Sequence, residues 1–161
     1  MIRWLAALAV ALPVIVQAEP VTQRAALTAT HRLENAARMV LRLEPASALA
    51  TPAATPATRD QLVAELHRMW EGFRPVFRGR PTTIPFRNLG VERCTLKGEA
   101  REQALELLDW GFLAPVGPLM TDSDANLEPE QYGECLGYFM IRLADLTHPW
   151  DAEFSPDNMS N

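Results

Sequence analysis

PEQYGECLGYFMIRLADL, residues 129–146, is the stretch that decides the fold. Tyr132, Cys135, Leu136, Phe139, Met140, Leu143 and Leu146 recur at helical spacing. At 3.6 residues per turn they gather on one face, as in a helix that lays an apolar stripe on a core. Pro129 suits the first turn, where its missing N–H would have no partner anyway.

Working upstream, Ala100, Ala104, Leu107 and Leu108 predict an inward face on a helix over about residues 99–110, closed by Gly111. A loop with Pro115 and Pro118 follows, over residues 112–126. Another helix opens at Thr58. Thr58 and Gln61 are spaced as a capping box, in which each side chain satisfies the other's free backbone N–H. Its apolar face is Leu62, Leu66, Met69 and Phe73, widened by Val63 and Trp70, with Gly72 at the end. Residues 73–93 show no helical period and contain Pro75, Pro81 and Pro85.

The N-terminal part carries one long helix over residues 21–44. Ala26, Ala29, Leu33, Ala36, Val40 and Leu43 form a narrow stripe, Thr22 is an N-cap, and Pro45 stops the helix. So narrow a stripe suits close packing on the chain's own module or on a partner helix. Residues 45–58 hold three prolines among alanine, serine and threonine and no charge, and read as a flexible linker. The expected fold class is therefore mainly α. A long N-terminal helix (19–44) and a Pro/Ala/Thr-rich linker (45–58) precede a compact helix–loop–helix module (59–146), and a polar tail (147–161) follows.

Residues 1–18 read as an export signal. Arg3 opens it, an apolar run over residues 5–16 follows, and Val16-Gln17-Ala18 offers compact side chains at a cleavage site after Ala18. About 12 apolar residues fall short of the roughly 20 that span a bilayer. The expectation is an exported protein, periplasmic or at the cell surface, with no stable transmembrane segment after cleavage. Its formal net charge of −5 argues against a nucleic-acid partner.

Cys94 and Cys135 both lie in the exported part. An oxidising compartment makes a Cys94–Cys135 disulfide the expectation, the alternative being two thiols buried as small hydrophobes. Such a bond would close a loop of about 42 residues and contribute about 4 kcal/mol through chain entropy.

Arg74, Arg78, Arg80 and Arg87 are interleaved with Phe77 and Phe86. Guanidinium forks fit carboxylates and stack on rings, so the segment is a candidate for an anionic polymer, beside the plainer reading of a solvated loop. Asp122, Asp124, Asn126 and Glu128 stand at positions 1, 3, 5 and 7 of a calcium-loop spacing, but Leu127 occupies the place of the turn glycine and Gly133 that of the last carboxylate. No other cofactor is expected. His31, His67 and His148 are isolated, Glu65 and His67 do not share a helix face, and nucleophile-elbow, phosphate-loop and dinucleotide motifs are absent. The chain is not expected to be an enzyme.

Residues 85–146 resemble an S-layer homology unit. Pro85-Phe86-Arg87-Asn88-Leu89 stands where such units open with a Pro-Phe-x-Asp-Val-like phrase. Trp110-Gly111-Phe112-Leu113 stands where the first helix ends at a Gly-Ile or Gly-Leu pair, and Leu127-Glu128-Pro129-Glu130-Gln131-Tyr132 where a Thr-Arg-Ala-Glu-Phe-like phrase opens the last helix. The family usually carries three tandem units, of which one is readable here, and the arginine of the last phrase is missing. The resemblance implies non-covalent attachment to a cell-wall polymer or another envelope component. Two alternatives stand beside it: a partner-binding protein acting through its N-terminal helix, and a small calcium-binding protein.

Overall fold

A computed structural model describes residues 19–47, 53–77, 86–122 and 126–147. Residues 1–18, read above as an export signal, and Arg78, Arg80, Asp124 and the polar tail beyond residue 147 lie outside them. Among the described residues the fold is mainly helical. The helices are α1 (Gln23–Val40), α2 (Arg59–Phe73), α3 (Arg87–Arg93), α4 (Gly98–Asp109), α5 (Pro118–Thr121) and α6 (Pro129–Thr147), with a 3-10 turn at Arg74–Val76. None of them is long and apolar enough to cross a membrane.

The helix starts expected at Thr22 and Thr58 hold, but α1, expected to run to Glu44 and stop at Pro45, ends at Val40, with Leu41 as its C-cap and Arg42 in the left-handed region at φ 56°. Thr22 Oγ1 accepts from the Ala25 N–H, and Thr58 and Gln61 close a complete capping box. Gly111, at φ 78°, ends α4. The Phe112 N–H donates to Leu107 O at 2.8 Å and the Gly111 N–H to Leu108 O at 2.9 Å, a paired C-terminal cap that needs a left-handed residue. The short helices α3 and α5 were not anticipated. Each is too short to display a period and forms only by packing on its neighbours.

The core lies where α2, α4 and α6 meet. Trp70 is its centre, with Trp110 and Phe112 each 4.7 Å away between ring centroids, and Phe139 4.4 Å beyond Phe112. Phe77 stacks on Trp70, whereas Phe86 is exposed.

Helix α1 joins this core along α2 through charge as well as apolar contact. Glu34 is wholly buried; it accepts from Arg38 at 2.9 Å and from Arg68 at 2.7 Å, and Arg68 also grips Glu65. Arg38 lies over the Phe73 ring and across Gly72, where a Cβ would sit 2.7 Å from its Nη2. Residues 53–57, expected within a flexible linker, are pinned to α1: the Gln23 N–H donates to Thr55 O, the Arg24 N–H to Ala53 O and the Ala57 N–H to Val21 O.

The expected disulfide is not present: Cys94 and Cys135 are both free. Cys94 caps the end of α3 and is half-buried, while Cys135 is buried on α6 with a hydrogen bond to the Leu119 backbone. Burial pushes the Cys135 thiol up to about 11. Compartment chemistry argued for pairing, but the fold uses each sulfur as a small hydrophobe at a different contact.

Candidate functional site

Three helices begin at one place. Val21, Ala57 and Leu127 are buried residues, each two positions before the first helical residue of α1, α2 or α6. The Val21 N–H donates to Leu127 O at 2.9 Å, and the Ala57 N–H to Val21 O at 2.8 Å. Antiparallel bridges pair Thr22 with Pro56 and Thr58 with Asn126. The caps use complementary halves of one motif, complete only at Thr58. Thr22 accepts from Ala25, Thr58 exchanges bonds with Gln61, and Gln131 Oε1 accepts from the Glu128 N–H at 3.0 Å.

The helices then run in one register. Four residues past each cap stand Ala26, Leu62 and Tyr132, and fifteen past it Ala37, Phe73 and Leu143, all buried. Tyr132 reaches α1 with its hydroxyl 2.7 Å from Thr30 Oγ1, and Thr30 donates on to Ala26 O. Burial raises the Tyr132 phenol above its ordinary range, so it stays neutral and able to donate.

Arg59, the first residue of α2, is buried beside this hub. It donates to Leu119 O at 2.8 Å, to Thr95 Oγ1 at 2.9 Å and to Asp122 O, tying α2 to both ends of α5. No feature of the sequence pointed to Arg59 as a buried tie between α2 and α5. Arg59 follows Thr58 directly, so the Thr58–Gln61 capping box sets where its side chain enters the core.

Between α1 and α2, against the hub, a cleft of about 180 Å³ is lined by Gln23, Ala26, Leu27, Ala57, Gln61, Leu62 and Glu65. Gln23 Nε2 donates to Gln61 Oε1 at 3.2 Å across it. An apolar floor with two amides and a carboxylate at its edge suits a hydroxyl-bearing ligand, held by hydrogen bonds over apolar contact.

The other anticipated residues are dispersed. Arg74 donates to Glu71 and Glu106, and Arg87 holds Asp109 with a second bond of 3.0 Å, so both have carboxylate partners within the chain. Of the calcium-loop residues, Asp122 turns its carbonyl to Arg59 and Thr95 and receives Gln131 at its carboxylate, Asn126 pairs with Thr58, and Glu128 is exposed at the start of α6. Asp122 and Asn126 are thus engaged by the fold through Arg59, Thr95 and Thr58.

Comparison with known proteins finds no matching family model, curated protein or solved structure.

Proposed function

We propose that this chain is an exported, non-enzymatic envelope protein that attaches to a cell-wall polymer as a module resembling an S-layer homology unit. The observation that carries the reading is the shared register of the three helix openings at 22, 58 and 128. A family built from three tandem units would be expected to supply three such openings. Thr58-Arg59-Asp60-Gln61-Leu62 fits the family's Thr-Arg-Ala-Glu-Phe-like phrase better than residues 128–132 do, and Thr22 heads a third version. Arg59 is consumed by the fold, so recognition passes to the cleft between α1 and α2, where Gln23, Gln61 and Glu65 face a polymer's hydroxyls.

The test is sedimentation of residues 19–161 with cell-wall sacculi of the source organism, with and without calcium. The chain should pellet with the sacculi, and Gln23→Trp, which fills the cleft mouth, should leave it in the supernatant. Wild-type protein found only in the supernatant under both conditions overturns the reading. Retention that requires calcium would bring Asp122 and Asp124 into the site.

A second reading, partner binding through the N-terminal helix, is favoured by an apolar cleft of about 280 Å³ lined by Ala36, Ala37, Val40, Leu41, Met140, Leu143 and Ala144. Met39, Val40 and Ile141 are exposed beside it. Val40→Asp with Ile141→Asp should abolish capture of a specific envelope partner; unchanged capture removes this reading.

A further inference from the structure

His67 and Glu71 sit one turn apart on α2, at the i, i+4 spacing that makes side chains neighbours. Packing of α4 along α2 brings Glu106 to the same spot, with His67 Nε2 2.9 Å from Glu106 Oε2. One ligand atom from each of the three residues lies within 4.8 Å of the other two. His67 and Glu106 are partly buried, and Glu71 is open to solvent. Arg74 already sits at this point: its Nη1 donates to Glu71 Oε1 at 2.9 Å and to Glu106 Oε1 at 3.0 Å, bridging both carboxylates.

We propose that His67, Glu71 and Glu106 form a binding site for a divalent transition metal of the zinc class, for which Arg74 is the built-in competitor. One imidazole nitrogen and two carboxylates suit zinc, whereas calcium and magnesium favour oxygen ligands alone. Three protein ligands leave a fourth position for water or a ligand atom. Zinc bonds at ordinary lengths of about 2.0–2.2 Å need the three atoms to draw somewhat closer, which side-chain rotation at a surface permits. The metal binds Nε2 of the neutral ring, whose single proton then sits on Nδ1, and any proton displaced from Nε2 leaves to solvent. It also displaces the Arg74 guanidinium, so one cation replaces another between the same two acids. Sequence spacing alone hid the site: Glu106 comes from another helix.

The experiment is calorimetric titration of zinc chloride into residues 19–161, with melting curves on the same samples and cobalt(II) as a spectroscopic probe. One equivalent should bind, the melting temperature should rise with zinc as mass action requires, and cobalt should give tetrahedral ligand-field absorption. His67→Gln and Glu106→Gln should each weaken zinc by more than the roughly 10–100-fold that loss of an outer-shell partner costs. Arg74→Ala should tighten it. Melting without metal checks that each variant folds. Absence of zinc-dependent heat, His67→Gln or Glu106→Gln binding like wild type, or Arg74→Ala binding no tighter, would each overturn the proposal.

Discussion

Glu34→Gln tests what joins α1 to the rest of the molecule. The carboxylate is wholly buried and takes charge-assisted bonds from Arg38 and Arg68. Hydrogen bonds to charged groups contribute about 1.5–3 kcal/mol each, which sets the ceiling. Neither arginine is stranded by the change. Arg68 is about half exposed and keeps Glu65, and Arg38 keeps the Glu44 carbonyl and the Phe73 ring. The cost therefore falls below the 3–5 kcal/mol typical of breaking a buried pair, to about 2–3 kcal/mol. At roughly 4 °C per kcal/mol for a chain of this size, the melting temperature should drop by about 8–12 °C. The dependence on pH carries a sign. Burial raises the Glu34 carboxyl, but the hydrogen bonds and charges of Arg68 and then Arg38 outweigh it, holding the group below its ordinary 4.5. Its contribution is thus present above that value and lost as pH falls through the lower folded one. Urea titrations followed by circular dichroism from pH 7 down to about pH 3 should show wild type losing this increment while Glu34→Gln does not. A variant within about 0.5 kcal/mol of wild type at pH 7, the scatter of ordinary surface changes, would refute the view that Glu34 fastens α1 to α2.

Other expected outcomes rest on separate contacts. Thr58→Ala removes one half of the capping box and should cost about 1 kcal/mol in urea unfolding. Arg59→Ala leaves the Leu119 carbonyl without its arginine donor at a buried point, while the Asp122 carbonyl keeps Thr95, and should cost about 2 kcal/mol, with amide exchange accelerated around Leu119 and Met120. Tyr132→Phe deletes a buried hydroxyl pair but leaves Thr30 bonded to Ala26, so about 1 kcal/mol should be lost. In thiol titration at pH 8, Cys94 should react before Cys135, whose burial keeps it protonated; equal rates would contradict the packing of Cys135 against Leu119.

The four longer helices were readable because apolar spacing and caps are local. Thr58 with Gln61, Gly111 and Pro129 mark ends within one turn of where the chain bends. The hub was not readable, because its three strands of backbone come from distant parts of the chain and pair through N–H and C=O groups that every residue carries. Val21, Ala57 and Leu127 share nothing but modest apolar character. The two cysteines misled for a related reason: their number and expected compartment are properties of composition, whereas bonding depends on where the fold sets each Cβ. The His67, Glu71 and Glu106 cluster needed the α2–α4 contact, and one lone histidine in a helix gives no warning of it.

The hydrogen bond from Val21 to Leu127 has a kinetic meaning. A chain emerging N-terminus first presents Val21 early, yet its acceptor arrives only with the residue before α6. Until then the starting end of α1 lacks its neighbour, Tyr132 is not there to meet Thr30, and the apolar faces of α1 and α2 are only partly covered. Closure joins residues more than a hundred positions apart, and such contacts slow folding. A chain shortened before residue 127 should remain sensitive to proteases, and the complete one should gain resistance in a single late step.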